Sequence, residues 1–213
     1  MPRLFTCQWF NWLTYLIKFN MENISIKNTE DANYIINPKK FVLWLLIVAS
    51  VMLFAGFTSA YIVRRGEGNW EIFNLPSLFA WNTIFVLLSS LTMQLSVWAQ
   101  KNNRLSQAKL LLGLTLAFGL TFCYVQVLAW GQLTADNVFF AFSNPSNSFV
   151  YVISGVHLFH VLGGVIFVLI QFIQSLRNKL ESGNLLYTGM CATYWHFVGI
   201  LWIYLYLFLY LYR

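Results

Sequence analysis

Charged residues are scarce in this chain: 9% of 213 residues, against 59% hydrophobic. A soluble globular domain carries about 25% charged residues, so the composition excludes that class and points to the membrane. Only seven residues are acidic, and none of them falls inside a long apolar run. Cysteine is limited to Cys7, Cys123 and Cys191 without paired spacing, which implies no disulfide framework. Cys123 and Cys191 lie within apolar runs and read as small packing residues. The net charge is +6, but the cations are scattered between apolar runs and form no patch. A nucleic-acid partner is therefore not expected.

Long apolar runs are what the chain has in abundance. A bilayer core of about 30 Å needs roughly 20 apolar residues in helix. Five stretches meet that length, at 41–63, 77–98, 110–131, 148–173 and 189–211. The expected fold is all-α, a polytopic membrane bundle of five transmembrane helices spanning 41–213 behind a tail over 1–40. Short connections make consecutive helices expected neighbours. Cations set the orientation. Arg3, Lys18, Lys27, Lys39, Lys40, Lys101, Arg104, Lys109, Arg177 and Lys179 fall on one side, and Arg64, Arg65 and Arg213 on the other. That asymmetry puts the N-terminus in the cytoplasm and the C-terminus outside. Arg64 and Arg65 are the exception. They follow helix one directly and are expected to reach lipid headgroups or to pair with Glu67 or Glu71.

The first twenty residues are rich in Trp and Phe, broken by Gln8, Asn11 and Lys18. No small-residue cleavage site marks a secretory signal. Two readings stand: an interfacial amphipathic helix using Trp9, Trp12 and Phe19, or an upstream extension with initiation at Met21. The second is preferred because 21–40 already reads as a polar cytoplasmic tail.

Apolar helices associate through small residues and interhelical hydrogen bonds. Ala49, Gly56 and Ala60 share a face of helix one, and Gly113 and Ala117 pair on helix three. Gly164 shares the face of His157 and His160 on helix four. Gly189, Ala192, His196 and Gly199 form a stripe on helix five. Tyr204, Tyr206, Tyr210 and Tyr212 suggest an aromatic belt. Asn82, Thr83, Ser89, Ser90 and Thr92 make helix two polar, although hydroxyls can bond back to their own helix. Gln94 and Gln126 call for interhelical partners. All three histidines lie in the last two helices, and an intramembrane ionisable group is a functional hypothesis. Three histidines could hold one metal ion, but no carboxylate or second cysteine lies near to complete a redox centre. A proton relay would rest on the histidines alone, because no span contains an acid. The preferred reading is neutral imidazoles that bond across helices or to a neighbouring subunit. No catalytic, cofactor-binding or metal-binding residue is assigned.

The last helix reads Tyr194-Trp195-His196-Phe197-Val198-Gly199-Ile200-Leu201-Trp202. Helix four carries Gly155-Val156-His157-Leu158-Phe159-His160-Val161. Helix one adds the run from Met52 through Phe54, Gly56 and Thr58 to Tyr61, and helix two adds Asn82-Thr83 followed by Leu88-Ser89-Ser90. In that order, across 41–211, the set resembles subunit III of the haem-copper oxidases, in a short five-helix form. The signature positions are His157, His160, Trp195, His196, Phe197, Asn82, Gly56 and Tyr61.

The resemblance implies an accessory core subunit of a terminal oxidase in a bacterial inner membrane, part of an oxidoreductase without a catalytic centre of its own. It implies subunits I and II as partners, with haem and copper held there and phospholipid bound between helices. In the family, subunit III supports assembly, sustained oxygen reduction and proton pumping. The sequence departs from the larger family members in lacking the first two of their seven helices, which help enclose the lipid cleft; five-helix members also occur. It also departs at Ser50, Ala129 and Gly199, where family members carry acids, so a proton-uptake role for those acids does not carry over. The same signature fits a quinol oxidase. A small transporter or an unrelated scaffold is the alternative of another class, and the absence of internal repeats, broken helices and mid-membrane charge speaks against a transporter.

Overall fold

Hydrocarbon offers backbone amides no partners, so a chain this apolar satisfies them within helices. The computed structural model describes residues 38–67, 76–135, 145–177 and 185–212. The readings of residues 1–20 and Met21, and the places of Cys7, Glu71 and Arg213, lie outside the described residues. Five helices follow: α1 (Pro38–Gly66), α2 (Leu78–Lys101), α3 (Leu105–Ala135), α4 (Pro145–Leu176) and α5 (Leu185–Tyr212). All five are long and apolar enough to cross a membrane, and no strand occurs among the described residues.

Most of the helices outrun the apolar stretches that announce them. The apolar window marks the part that needs hydrocarbon, while backbone hydrogen bonding continues into polar flanks. α3 thus begins at Leu105 and takes in Ser106, Gln107 and Lys109. The turn between α2 and α3 is tight for a local reason. Asn103 adopts φ 56, the left-handed conformation that asparagine tolerates at a helix end. Arg104 N–H then donates to Ala99 O at 2.9 Å and Asn103 N–H to Gln100 O at 3.1 Å, so two terminal carbonyls gain partners.

Close helix pairs run α2–α3, α3–α4, α4–α5 and α5–α2, a closed ring of four. α1 is not among the close pairs, which corrects the expectation that all consecutive helices pack as neighbours. It lies against α4 and α5 through bulky side chains instead. Phe54 meets the rings of His157 and His160 edge-on at 6.2 and 5.4 Å. Tyr61 packs on Phe149 and Phe208 at 5.7 and 5.2 Å. Tyr204 Oη donates to Thr58 Oγ1 at 3.2 Å. The buried face of α1 is Ile47, Ser50, Phe54, Thr58 and Tyr61.

Candidate functional site

The most buried of the five spans is α5, and two of its tryptophans show how it is held. Trp195 is buried, and its indole passes between α3 and α4. A Cβ on Gly119 would sit 2.7 Å from the Trp195 ring, and one on Gly164 would sit 3.1 Å from it. Only glycine leaves room for that ring at Gly119. The indole Nε1–H donates to Ser89 Oγ on α2 at 2.7 Å, so one side chain ties three helices to α5. Two turns on, Trp202 stacks on His157 at 5.1 Å and on Phe79 at 5.8 Å, and meets Phe122 edge-on at 5.0 Å. Its Nε1–H donates to Thr83 Oγ1 at 3.2 Å.

The polarity of α2 now has partners along both edges. Toward α5 stand Thr83, Ser89 and Ser90. Toward α3, Asn82 Nδ2 donates to Gln126 Oε1 at 2.7 Å, Thr92 and Thr115 share a hydroxyl bond at 2.9 Å, and Ser96 Oγ donates to Ala108 O at 3.1 Å. Some hydroxyls also bond back to their own helix, as Thr83 does to Phe79 O. Those local bonds leave hydroxyl lone pairs for the neighbour.

The three histidines part company. His196 lies at the seam of α5 with α2: Nδ1 is 2.6 Å from Ser90 Oγ, and Nε2 is 3.1 Å from Gln94 Oε1. An amide oxygen only accepts, so Nε2 carries the proton and Ser90 donates to Nδ1. Both of its partners are on α2. His160 keeps Nδ1 2.8 Å from Val156 O of its own helix, while its backbone O accepts from Tyr194 Oη at 3.1 Å. That Tyr194 bond is what joins α4 to α5 here.

His157 is fully buried, and neither ring nitrogen has a hydrogen-bond partner among the described residues. It borders a cavity of ≈ 20 Å³ with Ser89, Gly119 and Trp195, room for about one water molecule. Its faces are taken by Trp202, Phe122 and Phe54. Among the described residues no three His, Cys, Asp or Glu side chains converge as a metal site would require.

The remaining signature positions fall as follows. Asn82 is buried against α3 through Gln126. Tyr61 is buried, and its hydroxyl donates to Tyr212 O at 3.2 Å. Phe197 is partly buried and lines a groove between α1 and α5. No described residue lies within 4 Å of a Cβ placed at Gly56. Gly56 shares an exposed face with Ala49 and Ala60. Arg64 pairs with Glu67, and Arg65 lies over the Tyr212 ring at 5.9 Å, so both cations engage protein groups. Gly119 was not singled out by small-residue spacing, which pointed to Gly113 and Ala117. Its signal is the tryptophan on another helix, which no local pattern pairs with it.

Comparison with known proteins agrees with this arrangement. The family described as Cytochrome c oxidase subunit III matches residues 4–213. The chain is 25% identical over 167 residues to cytochrome c oxidase subunit 3 of Bacillus sp. (strain PS3), covering 76% of this chain and 80% of that protein. It is 29% identical over 176 residues to cytochrome bo(3) ubiquinol oxidase subunit 3 of Buchnera aphidicola subsp. Schizaphis graminum, covering 78% and 90%. A second Buchnera aphidicola protein of that name, from subsp. Acyrthosiphon pisum, is 28% identical over 196 residues, covering 87% and 92%. With a ring of helices closed around the signature tryptophans and a match across nearly its whole length, the chain belongs to the cytochrome c oxidase subunit III family of the haem-copper oxidases.

Proposed function

We propose that this chain is the non-catalytic core subunit III of a haem-copper terminal oxidase in a bacterial inner membrane. It braces subunit I, alongside subunit II, and sustains oxygen reduction with proton pumping. The observation that carries the reading is the use of the signature residues. Trp195, Trp202 and His196 are all engaged in interhelical contacts, and His157 is enclosed by aromatic rings. Such residues hold a shape for a partner to read. The cation asymmetry supports an N-terminus in the cytoplasm and a C-terminus in the periplasm.

Phospholipid is the expected ligand. Two grooves open between α1 and α5, one lined by Lys40, Trp44 and Met190 and the other by Phe54, Phe197 and Tyr204. From Lys40 to Ala55 the axial rise is about 22 Å, longer than one leaflet's half of an about 30 Å core. An acyl chain fits the apolar length, and the exposed Lys40 suits a phosphate at the entry. Arg64 and Arg65 stand at the opposite end of α1, where a headgroup would lie within their reach.

A quinol oxidase is the second reading, favoured by the likeness to ubiquinol oxidase subunits. One purification tests both. The chain is tagged, extracted in mild detergent, and examined by reduced-minus-oxidised spectra with identification of copurifying subunits. Haem bands with a large polytopic partner are expected, and a copper-binding subunit II would assign cytochrome c as donor. A colourless, solitary chain under the gentlest extraction would overturn the oxidase reading.

A further inference from the structure

A polar side chain facing hydrocarbon loses its hydrogen bonds unless another protein group caps it. The exposed surface of α2 is mostly leucine and tryptophan, with Leu87, Leu91, Leu95 and Trp98 outward. At the seam with α5 that pattern breaks. Gln94 is exposed and His196 half-exposed, and they are joined to each other and to Ser90. His196 occupies the amide oxygen of Gln94, which leaves the amide nitrogen with two hydrogens. No described residue accepts from it. Gln94 lies about 10 Å along α2 from Lys101, and His196 about 16 Å along α5 from Leu185. Lipid acceptors are confined to the headgroup region outside the about 30 Å core, so lipid does not satisfy this amide. On α3 the exposed Tyr124 offers a single hydroxyl, whereas this seam joins three polar side chains from two helices.

We infer that the Ser90–His196–Gln94 seam docks a transmembrane helix of a partner chain, and that this helix presents a hydrogen-bond acceptor to the Gln94 amide. The imidazole orients that amide by holding its oxygen, and Ser90 holds the imidazole. The identity of the partner rests on the proposed function: the relatives are numbered subunits of oxidases, so the occupant is another oxidase subunit and not a second copy.

The test uses the intact complex purified through a tag on this chain. A photo-crosslinking residue is placed at Leu87 or Leu91 beside the seam, and at Ile166 on α4 for comparison. Crosslinks to a partner subunit are expected from Leu87 and Leu91 and not from Ile166. Gln94→Leu is expected to lower partner retention about threefold as detergent stringency rises, the factor an average interhelical hydrogen bond in a membrane carries. Gln94→Asn should restore part of it. Crosslinks to a second copy, or a partner that copurifies while Leu87 and Leu91 label only lipid, would overturn the inference and leave the oxidase reading standing. Partner labelling from Ile166 as strong as from the seam would overturn it too. A wild-type chain that copurifies with nothing overturns both.

Discussion

Trp195 reaches α3 and α4, besides its bond to α2, because two glycines make way for it. A methyl group at Gly119 meets the indole at 2.7 Å, too close for any van der Waals contact. Gly119→Ala is therefore expected to lower the unfolding temperature of the purified complex, as overpacking of a filled core costs about 1–3 kcal/mol. Trp195→Phe in that background should recover part of the loss, as a double-mutant cycle would show. Gly56→Ala, with open space around it, should stay within about 0.5 kcal/mol. The residue types of this site were legible in the sequence: the aromatic-rich closing helix and the histidine pair stood out as signatures. Their partners were not. Spacing places His196 and Gly199 on a stripe, but it does not say that His196 meets α2 or that Val86 lies 3.1 Å from a Cβ on Gly199. Such pairings depend on how two helices register.

At the scale of elements, the five helices were legible because hydrocarbon demands length and apolarity. Their true ends were less so, since backbone hydrogen bonding runs past the apolar window into residues such as Lys101 and Ser106. The separate standing of α1 was invisible to hydropathy, because it has the most apolar window of the five. Side-chain contacts decide the matter. Phe54 and Tyr61 carry the attachment of α1 to α4 and α5. Phe54→Ala is expected to loosen α1 alone. Losing a buried Phe costs about 3–5 kcal/mol in a closed core, and a third of that raises amide exchange about tenfold. Hydrogen–deuterium exchange in detergent should show faster exchange over 45–60, with α2–α5 unchanged. Equal acceleration in all five helices would mean that α1 is integral to the ring.

For the whole molecule, the groove beside α1 predicts a lipid phenotype. Lys40→Ala should reduce the phospholipid retained through delipidation about fivefold, given about 1 kcal/mol per cation near an anionic surface. Native mass spectrometry would count the adducts, and an unchanged count would remove Lys40 from the binding of lipid. A last consequence concerns biosynthesis. The ribosome delivers α1 to α4 before α5, yet α5 supplies the Trp195 indole that α2, α3 and α4 receive. Until it inserts, Gly119 and Gly164 face a slot with no indole in it, and Thr83, Ser89 and Ser90 await their donors and acceptors on α5. A nascent chain is thus marked as unfinished until α5 arrives, by an empty slot and unmet hydroxyls that the folded bundle does not show.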